Sequence, residues 1–327
     1  RAIIMKKISH HDVEIGKTLD YCQITGSKNL FEAIDLGFQP ACSALITRET
    51  LREPEVYYPL RLMICPESGL GQLDYVVDGK TLFPTDYSYR PGISTPIRDH
   101  LDLITQEIIK LVNLQPKSLC VDVGSNDGTL LSFFKERGML VQGVEPTNMA
   151  KVARKENKVK TIQEFFTEDV AKQIVKENGK AKVVTFTNVF AHMAPLGEVM
   201  RGVSRLLDKD GIFMSESQYL FDVFEGNQFD QIYHDHVRIY SLKSLVKLLE
   251  YYGMEVFEAQ RLEGREGSIR IHAGWKGQHK VNPDVKKLLA LEVEAGLFKE
   301  SGWENFRKGV ERARDEFLEL AYKAKKD

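Results

Sequence analysis

Short apolar runs alternate with longer amphipathic segments along the middle of the chain, and this alternation predicts the main fold. The apolar runs lie at 118–123, 140–144, 183–187 and 211–217 and have the length of buried strands. The amphipathic segments, which have the spacing of surface helices, lie at 130–137, 148–156, 167–178 and 196–207. Strands that alternate with helices of this length predict parallel βαβ units.

Three more segments follow these units. The pattern at 241–252 predicts a helix, and those at 254–261 and 268–273 predict antiparallel edge strands of the same sheet. The expected fold class is therefore α/β, with a doubly wound, mostly parallel, Rossmann-like sheet.

The regions on either side of this sheet have different patterns. Residues 1–85 alternate short apolar runs with Gly and Pro, which predicts a small β-rich lobe. A helical pattern from 96 to 114 connects this lobe to the sheet. Residues 276–327 read as a charged helical segment, broken near Gly302, with too few apolar residues to fold alone. The expected domains are residues 1–85, 86–275 and 276–327.

The composition narrows the functional classes. The 327 residues are 43% hydrophobic and 28% charged, as in soluble globular proteins. With 45 Lys and Arg against 47 Asp and Glu, neither nucleic acid nor an anionic membrane is an expected partner. No apolar run approaches the roughly 20 residues of a membrane span, and the start does not resemble a signal peptide. Four scattered cysteines are expected to be reduced thiols, so a cytoplasmic protein fits best.

A glycine turn follows the strand at 118–123 and opens a helix, as in nucleotide-binding loops. Its residues are Gly124, Ser125, Asn126, Asp127 and Gly128. The next strand ends in Glu145, about 20 residues on, where an acid accepts hydrogen bonds from ribose hydroxyls. Asp127 would repel a diphosphate, whereas Asp122 and Asp127 would attract a sulfonium or an amino group. The expected cofactor is therefore S-adenosylmethionine (SAM).

Several short motifs stand out between residues 20 and 275. They are Leu36-Gly37-x-Gln39-Pro40, Asp86-Tyr87-Ser88-Tyr89, the glycine turn with Leu130-Leu131, Glu145-Pro146, Phe229-Asp230-Gln231-Ile232-Tyr233-His234-Asp235-His236 with Ser241, and Gly267-Ser268-Ile269-Arg270. Together they resemble the SAM-dependent nucleotide-sugar C-methyltransferases of deoxysugar biosynthesis, which make branched sugars such as mycarose. The resemblance implies the SAM methyltransferase fold and methylation of C3 of a 4-keto-hexose linked to a nucleoside diphosphate. S-adenosylhomocysteine (SAH) is the implied second product.

The implied chemistry assigns roles to particular residues. A base removes the proton beside the ketone, and the enolate then attacks the sulfonium methyl group. His236 is the expected base, and Tyr233 and Asp235 are expected to orient it or relay the proton. Tyr233 and Asp235 share one face if this stretch is extended. His192 follows the strand at 183–187, where the family also has a histidine, and is the expected donor to the enolate oxygen.

Further residues are expected around these groups. Tyr87 or Tyr89 would close the site from the linker, and Asn188 lies in the loop that overhangs the cofactor. Glu164 and Phe165 follow the third-strand region, where a polar side chain and an aromatic ring commonly hold adenine. Each candidate also has a plainer interpretation as a packed residue, a surface cluster or a core aromatic.

The first lobe departs from the family pattern. Family members bind zinc there through two C-x-x-C pairs, whereas the matching positions here are Cys22 with Thr25 and Cys65 with Ser68. Because a hydroxyl is a poor zinc ligand, no zinc is expected. Family chains also continue into a second, smaller α/β domain. This chain is expected to stop within the helices that lead to it, through truncation or loss.

Three other functions stay open. A sugar O-methyltransferase would use His236 to deprotonate a hydroxyl group. A degenerate relative would bind SAM without turnover, and a dinucleotide oxidoreductase would bind NADH. The oligomeric state, the nucleotide and the sugar are left open as well.

Overall fold

The computed structural model describes residues 8–42, 45–83, 87–262 and 267–326. Its first part contains an antiparallel sheet in which β2 (Tyr57–Ile64) lies between β1 (Phe31–Pro40) and β3 (Gly71–Leu73). Buried side chains of these strands, among them Ile34 and Leu62, form the core of this lobe. The predicted β-rich lobe is confirmed.

Two helices connect the lobe to the larger sheet. The first, α1 (Gly79–Leu82), is a single turn, and the second, α2 (Thr95–Leu111), is the helix predicted near this position. Helix α2 buries Leu101, Ile104 and Ile108, whose spacing of three and four places them on one face.

The larger sheet has the predicted parallel centre and antiparallel edge. The next strands in the chain are β4 (Leu119–Val123), β5 (Leu140–Val144), β6 (Thr161–Ile162), β7 (Ala181–Thr187), β8 (Leu207–Gln218), β9 (Arg238–Ile239), β10 (Met254–Leu262) and β11 (Ser268–Trp275). Seven of them form the order β10-β11-β8-β7-β4-β5-β6, in which β10 and β11 are antiparallel. The short strand β9 pairs instead with β3 and extends the sheet of the first lobe.

Helices alternate with these strands. They are α3 (Thr129–Glu136), α4 (Met149–Lys155), α5 (Glu168–Asn178), α6 (Leu196–Leu206), α7 (Leu220–Glu225) and α8 (Leu242–Tyr251). All of them except α7 were predicted. Side chains of Thr167 and Ser241 accept backbone N–H groups at the starts of α5 and α8, which explains why these helices begin there. In the described residues every helix is too short or too polar to cross a membrane.

The position of β4 determines where a ligand site is expected. All five residues of β4 are buried, and its neighbours β5 and β7 lie on opposite sides of it. The chain therefore leaves β4 in one direction and later returns on the other side. Such a reversal opens a crevice at the carboxyl ends of the strands.

The last segment packs against both sheets through α9 (Pro283–Glu294) and α10 (Glu304–Lys326). Glu292 is buried and accepts hydrogen bonds from the backbone N–H groups of Leu242 and Lys243, at the start of α8. Arg307 donates to two backbone carbonyls of β1. Helix α9 therefore contacts the larger domain, and α10 contacts the first lobe.

Candidate active site

A cleft of about 400 Å³ lies at the carboxyl ends of β4, β5 and β7, where the reversal of the sheet places it. Its lining includes ten of the residues predicted for the site. They are Tyr87, Tyr89, Asp122, Gly124, Ser125, Asn126, Glu145, Phe165, Asn188 and His192. The structure thus brings the predicted cofactor loop and one predicted catalytic histidine into a single cavity.

The cofactor loop turns sharply at Gly124. Its φ of +69° is in the left-handed region, and a Cβ atom there would lie 2.5 Å from a methyl carbon of Val189. Only glycine meets both conditions. The N–H groups of Gly124 and Ser125 both donate to the carbonyl of Val144, which fixes the loop against β5.

Glu145 holds the loop from the end of β5. One carboxylate oxygen accepts from the N–H of Asn126 and the other from the N–H of Thr147, each at 2.9 Å. A carboxylate oxygen has two acceptor positions, so each keeps capacity for a further hydrogen bond. Glu145 is 5% exposed and lines the cleft, and a pair of ribose hydroxyls matches its two oxygens.

Asp122 contributes a second acid at the end of β4. Its side chain accepts a hydrogen bond of 2.6 Å from the hydroxyl of Thr185. Burial raises the pKa of Asp122 to about 7, an effect that the negative charge of Glu145 adds to and the Thr185 hydrogen bond opposes. Asp122 therefore changes its charge near neutral pH.

Three of the predicted cofactor residues lie outside the lining of the cleft. Asp127 is fully buried and accepts from the N–H and hydroxyl of Thr129, the N–H of Gly92 and the guanidinium of Arg90. Its carboxylate accepts from Thr129 at the start of α3 and from Arg90 and Gly92 in the segment before α2, and it thereby ties that segment to the loop. Gly128 packs behind the loop against α4, and Glu164 is exposed on the surface.

The Tyr-His-Asp-His segment forms a turn, so the extended conformation in which Tyr233 and Asp235 would share one face is not present. The N–H of His236 donates to the carbonyl of Tyr233, which brings the two side chains together. The Tyr233 hydroxyl lies 2.9 Å from Nε2 of His236, and Nδ1 of His236 lies 2.8 Å from the carbonyl of Gln231. A carbonyl only accepts, so Nδ1 carries the proton and Nε2 accepts from Tyr233.

His192 lies between this turn and the cleft. Its Nδ1 donates to the backbone carbonyl of Asp235 at 2.7 Å, and its ring centre is 5.0 Å from that of His236. Burial lowers the pKa of His192, and burial together with the neighbouring His192 lowers the pKa of His236 to about 3. Both imidazoles are therefore neutral at physiological pH. His192 lines the cleft, whereas Tyr233, Asp235 and His236 lie behind it.

An aromatic row covers the other side of His192. The ring of Phe83 lies 5.6 Å from His192 and 6.0 Å from Tyr87, and Tyr87 lies 6.5 Å from Tyr89. Burial raises the pKa of Tyr87 to about 12, with a smaller contribution from the charge of Asp235. Phe83 was not predicted for the site, because an aromatic residue in the first lobe is equally expected in a core.

Comparison with known proteins identifies the family of the chain. Three family models match in order: a "Putative zinc binding domain" at residues 22–83, a "Methyltransferase domain" at 98–259 and a "C-methyltransferase C-terminal domain" at 263–327. C-methyltransferase NovU from Streptomyces niveus is 32% identical over 309 residues, or 94% of this chain and 73% of that protein. The chain belongs to this C-methyltransferase family. It is a SAM-dependent methyltransferase.

Solved structures overlap with part of this C-methyltransferase. A SAM-dependent methyltransferase from Anabaena variabilis covers 55% of this chain and 86% of its own, with a TM-score of 0.44 and 14% identity. Magnesium protoporphyrin IX methyltransferase from Synechocystis with bound SAH covers 55% and 83%, with a TM-score of 0.42 and 15% identity.

The family's zinc-binding positions converge in this C-methyltransferase, although two of them are hydroxyls. The Cys22 thiol lies 3.2 Å from the Ser68 hydroxyl, and the Cys65 thiol lies 3.9 Å from the Thr25 hydroxyl. Both cysteines are fully buried. A closed zinc site needs four thiolate, imidazole or carboxylate ligands, so two thiols and two hydroxyls do not fit one. Hydrogen bonds join the four side chains in two pairs, Cys22 with Ser68 and Cys65 with Thr25.

Proposed function

We propose that this C-methyltransferase transfers the methyl group of SAM to C3 of a 4-keto-deoxysugar linked to a nucleoside diphosphate. The observation that carries the proposal is the contact of Tyr233 with His236, next to His192 in the wall of the cleft. Neutral imidazoles are suited to taking a proton from carbon. The same cleft holds Glu145, an acid suited to a ribose.

In the proposed reaction His236 is the base. Tyr233 lies behind His192, so we propose that the bound sugar extends past His192 to this turn. There the Tyr233 hydroxyl takes the proton from C3 while it passes its own proton to Nε2 of His236, which accepts from it. The electron pair of the broken C–H bond is left on the sugar as an enolate. The low pKa of His236 disfavours an imidazolium in the resting protein, so the imidazolium forms together with the enolate that offsets its charge.

His192 is the proposed donor to the enolate oxygen. Its Nδ1–H is used by the carbonyl of Asp235, so donation requires a second proton on Nε2, which His192 takes from solvent in the cleft as the enolate forms. The developing negative charge of the enolate would raise the lowered pKa of His192 and favour this form. Asp235 acts here through its backbone carbonyl, which accepts from Nδ1 of His192.

The cofactor contacts follow from the lining of the cleft. We assign Glu145 to the ribose hydroxyls, Phe165 to the adenine ring and Asp122 to the amino group. Asp127, Gly128 and Glu164 are assigned indirect roles, because they lie outside the lining. Tyr87 is the proposed cover over the sugar, since Tyr89 is 54% exposed.

Further parts of the proposal concern the whole chain. We propose domain boundaries near residues 85 and 275. We also propose a cytoplasmic protein, because none of the cysteines in the described chain forms a disulfide, as in a reducing compartment. The proposed partner is the nucleoside-diphosphate sugar, with no nucleic acid and no membrane.

The absence of zinc is proposed from the two hydroxyl positions and is tested by restoring the thiols. A Thr25→Cys, Ser68→Cys double variant supplies four thiolates at converging positions and should bind one zinc ion per chain. Elemental analysis after purification in zinc-containing medium compares it with the wild type, which should contain none. One zinc per wild-type chain would contradict the proposal.

Exchange of the C3 hydrogen with solvent deuterium tests the proposed reaction. The enzyme is incubated with SAH and a thymidine- or guanosine-diphosphate 4-keto-deoxysugar in D₂O, and mass spectrometry follows the label. Exchange with the wild type and its loss in His236→Ala would support enolate formation. Methyl transfer from SAM without any C3 exchange would favour the sugar O-methyltransferase instead.

Calorimetry separates the remaining alternatives. Binding of SAH without exchange or turnover on any 4-keto-sugar would indicate a SAM-binding protein without activity. Binding of NADH but not of SAH would indicate an oxidoreductase and contradict the cofactor assignment.

A further inference from the structure

Arg238 is a fully buried cation that connects three parts of the molecule. It lies on β9 and has no exposed surface. Its guanidinium donates to the side-chain carbonyl of Gln23, to the backbone carbonyls of Met193 and Ala194, and to the hydroxyl of Tyr240. In the described part of the chain these hydrogen-bond acceptors are all neutral.

The acceptors are placed so that Arg238 sets the position of His192. Met193 and Ala194 directly follow His192 in the loop between β7 and α6. Gln23 belongs to the first lobe and directly follows Cys22, whose thiol contacts the Ser68 hydroxyl. One guanidinium thus joins the first lobe to the loop that carries the cleft-lining imidazole.

The charge of Arg238 has an electrostatic consequence as well. Burying a cation among neutral acceptors costs free energy that an apolar side chain would not cost. The charge disfavours a second positive charge nearby and contributes to the lowered pKa of His192. The other titratable or hydrogen-bonding groups that face His192 are the ring of His236, the carbonyl of Asn188, and both the carbonyl and the carboxylate of Asp235. Arg238 is the permanent cation in this set.

We propose that Arg238 is a positioning residue for methyl transfer, which holds the His192 loop against the His236 turn and transmits the position of the first lobe to it. The proposal rests on the proposed function in one respect, since it takes His192 as part of the reacting site. Arg238 is absent from the lining of the cleft, so it acts through His192 and not on the substrate.

Two substitutions of Arg238 test this role in the full chain. Arg238→Met removes the charge and all donors, and it should lower kcat about 100-fold, as expected when a reacting group is misplaced by about 1 Å. Arg238→Lys keeps the charge and the donors of one ammonium group, and its kcat should be about tenfold higher than that of Arg238→Met. The Kd for SAH should stay within threefold in both variants, because no cofactor contact is changed.

A matched pair in the first lobe separates positioning from general stability. Gln23→Leu removes the contact of the lobe with Arg238, whereas Ile34→Ala creates a cavity in β1, the strand farthest from β9. Gln23→Leu should lower kcat about tenfold. Ile34→Ala should lower the melting temperature at least as much and leave kcat within twofold. Equal kcat values for these two variants would contradict the proposal.

NMR of histidine-labelled protein supplies a readout that needs no sugar substrate. The ring signals of His192 are assigned with His192→Gln, and their pH titration is followed. In Arg238→Met the His192 signals should shift and the pKa of His192 should rise, because the cation is lost. In Gln23→Leu, which keeps the cation, the signals should shift more weakly. If the wild type methylates no sugar but the His192 signals shift in these variants, the positioning role of Arg238 is supported and the proposed function is contradicted. Unchanged His192 signals in Arg238→Lys and Gln23→Leu, or in a folded Arg238→Met, would overturn the proposal.

Discussion

The cofactor side and the catalytic side of the cleft are built in different ways. Most of the cofactor side consists of β4, the glycine turn, α3 and the end of β5, which are consecutive in the chain, and later segments add Phe165 and Asn188. The catalytic side combines Tyr87 from the linker, His192 from the loop after β7 and the Tyr233–His236 turn after α7. One side is mostly a local supersecondary unit, whereas the other exists only when three distant segments meet.

The two sides also differ in charge. Asp122 and Glu145 place acids beside the proposed cofactor, and the pKa of Asp122 is raised to about 7. His192 and His236 on the catalytic side have lowered pKa values and are neutral. Acids attract the cationic cofactor, and a neutral base is ready to accept a proton. The comparison predicts that substitutions on the cofactor side change the Kd for SAM and that substitutions on the catalytic side change kcat.

The largest expected effect is on the catalytic side. His236→Ala removes the proposed final acceptor of the C3 proton and should lower kcat by about 10²- to 10⁴-fold. The Kd for SAH, measured by calorimetry, should change by less than about threefold, because His236 lies behind the cleft lining. Tyr233→Phe is the matched variant that keeps the ring and removes the relay hydroxyl. Wild-type turnover in His236→Ala would exclude it as the base.

The next effect is expected on the cofactor side. Glu145→Gln replaces one carboxylate acceptor by an amide NH₂ that faces a backbone N–H, and it weakens the proposed contact with ribose. Losing a hydrogen bond to a charged group costs about 1.5–3 kcal/mol, so the Kd for SAM should rise about 10- to 150-fold. At saturating SAM, kcat should be nearly unchanged. A normal Kd with a reduced kcat would reverse the proposed division of roles.

A smaller effect is expected from pH. Because the pKa of Asp122 is raised to about 7, Asp122 is neutral below this pH and negative above it. The affinity for SAM should therefore increase about three- to tenfold between pH 6 and 8. Asp122→Asn should make the affinity independent of pH in calorimetry over this range. In the free protein the same group lowers stability as pH rises from about 4 to 7, since the unfolded chain releases its proton first.

The smallest effect distinguishes the two linker tyrosines. Tyr87 has a partly buried hydroxyl that stays protonated because its pKa is raised to about 12, whereas Tyr89 is 54% exposed. Loss of one hydrogen-bond donor at the sugar is expected to lower kcat/KM about tenfold in Tyr87→Phe. Tyr89→Phe should remain within twofold in the same steady-state assay. The opposite order would assign the cover of the site to Tyr89.

Much of the fold follows from periodicity alone. The predicted strands and helices of the larger domain lie within a few residues of the observed ones, because buried strands and amphipathic helices leave strong local patterns. The glycine turn and Glu145 were predicted for the same reason, since a strand, a turn and a helix that follow one another need no distant partner. The position of Asp127 outside the cleft was not predicted, because an aspartate that accepts from backbone N–H groups and one that binds a ligand look the same in a sequence.

The catalytic side depends on contacts that have no local signal. The sequence by itself determined which residues are available there, namely His192, Tyr233 and His236, and the resemblance assigned them roles. Only the tertiary structure decided that residues 233–236 form a turn and that His192 separates this turn from the cleft. It also decided that Arg238 connects the loop after His192 to the first lobe. Local patterns are set by the hydrogen bonds and burial of neighbouring residues, whereas protonation and placement depend on groups that folding brings together from far along the chain.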